Sequence, residues 1–302
     1  MSETRSLART WLPRLLILNL IVEVGIVVTG GLVRLTGSGL GCPTWPQCTP
    51  GSYVPTVEQA EGFHKFIEFG NRTLTGVVGI VALALLIALY RWARERSELV
   101  LGTWIVLAGV AAQAIVGGIT VRTGLNPWIV GFHFICSMGL IAVSAWMVWR
   151  FRQEPGTTHS LVHPVVDRAI WALSALAVVV LVLGTIVTGS GPHSGDADTP
   201  ARTGFDPRTI SWLHADAVML FIGIVVAVWL GARLSERAAG PARAWGVVFY
   251  VTVAQGLIGY VQYLTKLPEV LVLAHMFGAS LLVVVIARAV VLSRATEVTP
   301  AA

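Results

Sequence analysis

Charged residues are scarce in this chain: only 12% of its 302 residues are Asp, Glu, Lys or Arg, whereas 55% are hydrophobic. Soluble domains carry roughly 25% charged residues, so the composition excludes an ordinary soluble protein. Apolar runs of about 20 residues, each long enough to cross ~30 Å of hydrocarbon, recur along the whole length. These runs leave no room for a separate soluble domain.

Eight membrane-spanning helices are predicted, which makes the chain an all-α integral membrane protein of the cell membrane. Fourteen Lys and Arg residues fall on one side and seven on the other, which predicts that both termini are cytoplasmic. The net charge of +5 is spread over short loops and does not indicate nucleic-acid binding. The first run is too long, and its flank too unlike a cleavage site, to favour a removed signal peptide. The predicted spans are residues 13–34, 70–91, 98–121, 127–149, 168–189, 210–232, 243–264 and 270–292.

Cysteine is also rare, with three residues in the chain. Cys42 and Cys48 lie in the first outer loop, about 35–69, on the side of the membrane where disulfides persist. Their spacing differs from the CxxC pattern of metal and redox motifs, so a disulfide is favoured over a metal or redox pair. Whether the disulfide is structural or cycles during turnover stays open. Cys136, in the fourth span, is expected to be inert packing.

An internal repeat divides the chain into two related halves. Two segments align without a gap at an offset of 142 residues, and the triplet Val-Thr-Gly occurs in both halves. An even number of spans in each half makes the repeats parallel, with a pseudo-twofold axis along the membrane normal. We predict an N-terminal half, 1–155, and a C-terminal half, 156–302, joined by a polar stretch whose two histidines are solvated. The aligned segments are 112–133 and 254–275, the triplets are 28–30 and 187–189, and the two histidines are His159 and His163.

Three histidines lie at a similar depth near the outer ends of spans: His133, His214 and His275. A single imidazole inside a membrane can be satisfied by a helix–helix hydrogen bond. Three at one depth, two of them in equivalent repeat positions, favour a function in the bundle interior. His214 and His275 belong to the same half, where two imidazoles on facing helices can ligate one haem iron.

The N-terminal half lacks the matching histidine. His214 precedes His275 by 61 residues, and the same count back from His133 ends beside Asn71. The nearest histidine, His64, lies two helical turns earlier. An iron with one firm ligand suits a substrate that must enter and leave, so this asymmetry favours an enzyme over an electron carrier.

Five motifs together resemble the haem A synthase family along essentially the whole chain. The resemblance implies two four-helix halves, with haem b in the C-terminal half held by His214 and His275. It implies that the N-terminal half takes haem O, with its iron at His133, and oxidises the C8 methyl group to a formyl group by successive hydroxylations. The family's outer cysteine pair maps to Cys42 and Cys48, and its acid to Glu68. The motifs are GGLVRLTGSGLGCPTWPQC, IEFGNR, GGITVRTGLNPWIVGFHF, GTIVTGSGPHSGD and LAHMFGAS.

Two departures from the family matter. Many members have a histidine where this chain has Asn71, so either His64 acts as the second haem O ligand or His133 binds the iron alone. The second outer loop, about 190–209, has no cysteine pair and therefore no second disulfide. His193 in that loop is expected to be a loop residue rather than a ligand.

Roles for the remaining polar residues are hypotheses. Glu68 acts as a general base or is a helix-start carboxylate that favours the macrodipole. Four basic residues near the outer ends of spans, together with Asn71, are candidates to contact the haem, because propionates pair well with arginine; interfacial snorkelling is the alternative. Glu23 is expected to make an internal hydrogen bond, and Gln113 a helix–helix one. The four basic residues are Arg34, Arg72, Arg122 and Lys266.

The resemblance also implies partners. Haem O is the expected substrate, haem O synthase and terminal oxidase assembly proteins are candidate partners, and the chain contacts membrane lipid. The electron acceptor is unknown, and a homo-oligomer stays open. Two other classes remain: a dihaem electron-transfer cytochrome, against which Asn71 counts, and a non-catalytic haem carrier, which would not need Glu68. A prenyltransferase is disfavoured because the sequence has no pair of Asp-rich motifs.

Overall fold

The fold is an eight-helix bundle, seen here in a computed structural model that describes residues 2–196, 198–235 and 239–297. Both chain ends and Arg237, one of the fourteen basic residues counted above, lie outside the described residues. All eight helices are long and apolar enough to cross a membrane. The helices are α1 Ser2–Leu35, α2 His64–Trp92, α3 Ser97–Arg122, α4 Pro127–Arg150, α5 Pro164–Ser190, α6 Pro207–Leu234, α7 Ala239–Leu264 and α8 Glu269–Leu292.

The prediction of eight membrane helices is therefore confirmed, although several helices begin earlier than predicted. The second helix begins at His64 rather than at residue 70. Its first turns contain Lys65 and Glu68, which lower the local hydropathy, yet both side chains are buried against the outer loop. The loop consequently spans residues 36–63, and the second outer loop spans 191–206.

Helix packing follows the two halves. Each of α1–α4 packs against its chain neighbour, and α4 returns to α1; α5–α8 repeat this order, with a much looser closure between α8 and α5. The halves meet mainly through α4 and α8, each of which also contacts the first helix of the other half. A small apolar core containing Val27, Met138 and Ile141 fills this junction. Within each half, two helices lie diagonally opposite each other: α2 and α4 in the N-terminal half, and α6 and α8 in the C-terminal half.

The internal repeat extends to backbone conformation. The turns after α3 and α7 each contain two consecutive residues with positive φ: Gly124 and Leu125 at 59° and 57°, Lys266 and Leu267 at 65° and 61°. In both turns the second residue donates its N–H to a carbonyl five residues back, at 2.8 and 2.7 Å. Glycine adopts this conformation without strain, whereas lysine does not.

Three helices begin with a proline that follows a capping residue. Proline begins α4, α5 and α6, where its missing N–H costs nothing, and the residue before each proline caps the helix. The caps are Asn126, His163 and Asp206. Asp206 lies outside the membrane spans, and hydrogen bonds from the hydroxyl and then the amide of Thr209 lower its pKa.

The sequence did not predict a two-stranded sheet at one end of the bundle. This end lies opposite the first outer loop, residues 36–63, which contains Cys42 and Cys48 and is called the cysteine loop below. Strand β1, Thr157–Ser160, pairs antiparallel with β2, Arg294–Glu297. His159 therefore lies in a strand rather than in the predicted loop, whereas His163 lies just before α5 and caps it. Both side chains are exposed, which confirms the prediction that they are solvated. Gln153 donates from Nε2 to the carbonyls of Val291 and Arg294, and this contact joins the two halves.

Candidate functional site

Two of the three membrane histidines, His133 and His275, occupy equivalent positions of the repeat, and His214 lies at a similar depth on α6. His133 is the seventh residue of α4 and His275 the seventh of α8, whereas His214 is the eighth residue of α6. His214 and His275 therefore lie at a similar depth on a diagonal helix pair.

Each imidazole packs against a glycine of the preceding helix. A methyl group added at Gly184 would lie 3.3 Å from Cε1 of His214, and one at Gly259 would lie 3.4 Å from Cε1 of His275. At Gly117, facing His133, the corresponding distance is 3.6 Å. The glycines thus bring helical backbone directly against the rings.

The buried Nδ1 atoms of all three rings lack a hydrogen-bond partner in the described part of the chain. The carbonyl of Val180 lies beside His214 and that of Gln255 beside His275, but neither completes a hydrogen bond with Nδ1. Buried polar atoms are normally paired, and an unpaired one is costly. Imidazoles that bind a metal through one nitrogen usually donate the other N–H to a carbonyl. Each of these two rings has a carbonyl beside it that could take this role once the other nitrogen binds iron. The surroundings of His214 and His275 therefore fit a haem held between them.

Asn71 takes the place of a histidine in the N-terminal half. It is the eighth residue of α2, as His214 is of α6, and α2 lies diagonally across the half from His133 on α4. Thr29 Oγ1 donates to Asn71 Oδ1 at 2.7 Å. The pair that faces the N-terminal interior is thus one imidazole and one amide.

His64 lies well away from that level. It is the first residue of α2, seven residues before Asn71, which is about 10 Å along a helix axis. Its side chain is exposed, and its Nδ1 is hydrogen-bonded to Ser38 Oγ at 2.8 Å. The structure therefore brings His64 to the outer loop and not to His133.

Glu68 and Arg72 hold the cysteine loop onto α2. Glu68, which is 5% exposed, accepts the Cys42 N–H at 2.6 Å through Oε2 and the Arg72 Nε–H at 3.0 Å through Oε1. Arg72 also donates to the carbonyls of Cys42, Thr44 and Gln47. Together with its second bond to Glu68, these contacts use all five N–H groups of the guanidinium. Arg72 has no donor left for a propionate in this conformation.

The other basic candidates sit in different surroundings. Arg34 reaches the second outer loop, where Nε donates to the His193 carbonyl at 2.8 Å and Nη2 to the Thr188 carbonyl at 3.1 Å. Arg122 is exposed and donates to the Trp45 carbonyl at 2.9 Å. Lys266 is exposed in the turn after α7. None of these contacts excludes a propionate from Arg34, Arg122 or Lys266.

The cysteine loop is a folded cover. Cys42 and Cys48 form a disulfide, which confirms the predicted pairing. Trp45, between them, packs on Gly118 of α3. Lys65 Nζ donates to the carbonyl of Thr56 at 2.6 Å. The loop is therefore attached to both α2 and α3 above the N-terminal half.

Two further polar groups lie deeper. Gln113 donates from Nε2 to the His133 carbonyl at 2.8 Å, which confirms the predicted helix–helix hydrogen bond. Glu23 is 3% exposed, and its Oε1 has no partner within the described residues, so the expected internal hydrogen bond is not seen at that atom. Asn19, one turn before Glu23, donates to Ser144 on α4 at 2.9 Å.

Sequence reasoning missed Thr29 and Gly184 as site residues. The repeated Val-Thr-Gly triplet was a signal for both segments, because it marks equivalent ends of α1 and α5. Nothing in the sequence pattern indicated that Arg72 binds loop carbonyls, since that depends on how the loop folds.

Comparison with known proteins gives a consistent result. Proteins named Heme A synthase from Lysinibacillus sphaericus and Bacillus pumilus are each 26% identical, over 85% and 88% of this chain and 87% and 90% of their own lengths. A Heme A synthase from Geobacillus thermodenitrificans is 31% identical over 44% of this chain, and that alignment spans 41% of the relative's length. The COX15-CtaA profile, described as cytochrome oxidase assembly protein, matches residues 13–287. The chain therefore belongs to the COX15-CtaA family.

Proposed function

We propose that this protein is a haem A synthase, which oxidises the C8 methyl group of haem O to a formyl group by successive hydroxylations. Family membership and the full-length relatives make it an oxidoreductase of haem A biosynthesis. One observation supports the assignment of the two halves. The C-terminal half has a histidine on each of α6 and α8, whereas the N-terminal half has an amide on α2 and a histidine on α4.

The C-terminal half is the proposed cofactor site. His214 and His275 would hold haem b, and the bound group supplies one-electron transfer between the substrate site and an external acceptor. The chain's own contribution is to keep both rings at one depth and against backbone, through Gly184 and Gly259. Ligation requires both imidazoles to be neutral.

The N-terminal half is the proposed substrate site. His133 would bind the haem O iron, and the absence of a second histidine at the level of Asn71 leaves the substrate exchangeable. This asymmetry favours an enzyme over a dihaem electron carrier, which needs two full histidine pairs. Arg34 and Arg122 remain the candidate propionate partners in this half, because Arg72 is occupied by Glu68 and the loop. Lys266, in the turn after α7, remains a candidate in the C-terminal half.

Glu68 is the proposed general base. A carboxylate offers about four lone-pair positions, and three of them are used by Cys42 and Arg72. One position remains to accept a proton from the substrate methyl group or from attacking water. Glu68 lies one helical turn before Asn71 along α2, at the end of the helix that the cysteine loop covers.

The test is haem analysis after co-expression with a haem O supply. We expect Glu68→Gln to abolish haem A formation, to keep the low-spin haem b spectrum, and to accumulate haem O or its hydroxylated intermediate. The substitution keeps size and one acceptor oxygen but removes the charge and the second acceptor, so the retained haem b spectrum is the check that the protein has folded. Glu58→Gln, an exposed carboxylate of the same loop, is the matched control and should make haem A normally. Full haem A production by Glu68→Gln would refute the catalytic role.

A further inference from the structure

Asn71 is directed into the N-terminal half by its position on α2. The inward face of this helix includes Glu68, Asn71, Thr75 and Val78, at the three- and four-residue spacing of one helix face. Glu68 and Val78 are buried, whereas Thr73 and Leu74, on the other side, are exposed. Asn71 therefore faces the same interior as His133 and not the lipid.

Thr29 fixes which end of the amide faces that interior. Its single hydroxyl hydrogen has three acceptors within reach: Asn71 Oδ1 at 2.7 Å and the carbonyls of Gly25 and Ile26, each at 3.1 Å. The contact with Asn71 Oδ1 is the shortest, and with Oδ1 engaged the Nδ2 group is turned away from Thr29. A methyl group added at Gly30 would lie 3.8 Å from Nδ2. No described residue accepts a hydrogen bond from Nδ2, so the amide presents an unused donor.

An amide N–H group donates hydrogen bonds but does not replace imidazole as an iron ligand. We propose that Asn71 donates a hydrogen bond to a small ligand, such as water, on the open face of the haem O iron, and that Thr29 positions Asn71 for this contact. This inference rests on the proposed function, because it requires haem O at His133. Where a second histidine would bind the iron, Asn71 would instead bind a small ligand that has a hydrogen-bond acceptor atom.

Polar hydrogen-bond donors beside an open iron face influence which small ligands bind there. The two halves then differ in a measurable way. A haem held by both His214 and His275 would have no iron position free for an added anion. A haem O held by His133 alone would keep one iron position free for fluoride, which is a good hydrogen-bond acceptor. Fluoride binding to the ferric, haem O-loaded protein therefore reports on the N-terminal half alone.

The experiment is a fluoride titration followed by absorption spectroscopy. We expect Asn71→Leu to weaken fluoride binding about tenfold, equivalent to about 1.4 kcal/mol. Thr29→Val should weaken it about threefold, because the amide is retained but no longer oriented. Asn71→His should abolish fluoride binding and produce a second low-spin haem. Thr188→Val, at the equivalent threonine of the C-terminal half, should leave the affinity unchanged.

Two results separate the inference from the function on which it rests. Retention of haem O that survives His133→Ala would overturn the proposed substrate site. Retention that depends on His133, with equal fluoride affinity in wild type and Asn71→Leu, would overturn only the role of Asn71. A second low-spin haem in the wild-type protein would also overturn the role of Asn71, because it would show that the iron has no free position. The low-spin haem b spectrum of the C-terminal half shows in each variant that the protein has folded.

Discussion

Gly184→Ala should weaken haem b binding, because Gly184 lies against the ring of His214. The new methyl group would be 3.3 Å from Cε1, closer than the ~3.5–4.0 Å at which carbon atoms pack best. The imidazole must then move by a few tenths of an ångström, away from the position that ligates the iron. Gly25 is the equivalent residue of α1 by the Val-Thr-Gly repeat, and a methyl group there would meet nothing within 4 Å.

The magnitude follows from overpacking at the ring. Alanine is favoured over glycine inside a helix by about 0.5–1 kcal/mol, but both variants gain this with or without haem, so it changes the free energy of unfolding and not haem affinity. Overpacking typically costs about 1–3 kcal/mol, and only Gly184→Ala has this cost. A penalty of about 1 kcal/mol on the state with both histidines in place corresponds to a roughly fivefold loss of haem b affinity.

The assay is a titration of haem b into protein expressed under haem limitation, followed through the low-spin spectrum. Gly25→Ala is the control and should bind haem b like wild type while unfolding at a slightly higher temperature. If Gly184→Ala and Gly25→Ala bound haem b equally, close approach of backbone to the ring would have no role in ligation.

Two other predictions concern the outer end of the bundle. Cys42 and Cys48 should resist alkylation in intact protein until a reductant is added, as measured by mass spectrometry; ready labelling without reductant would contradict the disulfide. Lys266→Gly should raise the free energy of unfolding by about 1 kcal/mol, because φ is 65° at Lys266 and glycine adopts positive φ without strain, as Gly124 does in the equivalent turn. Thermal unfolding measures this, and a lower midpoint would show that the lysine side chain contributes more than the strain costs.

The sequence predicted features that depend on local pattern and missed those that depend on distant contacts. Eight apolar runs determine eight helices, and the gapless repeat correctly indicated equivalent turns after α3 and α7. The start of α2 was predicted six residues too late because Lys65 and Glu68 look like loop residues by hydropathy. Their burial depends on bonds to loop atoms of Thr56 and Cys42, which no helical periodicity reveals.

The same distinction applies to the candidate site. The depth of His133, His214 and His275 could be counted along the chain, and the same count ended one residue after Asn71. The occupation of Arg72 by the cysteine loop could not, since its acceptor carbonyls lie 25 to 30 residues earlier in sequence. Strands β1 and β2 are four residues each and pair across the whole C-terminal half, which leaves no detectable local signal.

The junction between the halves has a consequence for the origin of the chain. Met138 and Ser280 are equivalent positions of the repeat, and Ser280 Oγ lies 4.0 Å from Met138 Sδ. Equivalent residues touch each other only near a twofold axis, as in a dimer of identical subunits. A half-length ancestor could therefore have paired with its own copy through the same surface of its fourth helix. Fusion after gene duplication would free each copy to change by itself, so that one histidine pair could be kept while the other lost a ligand.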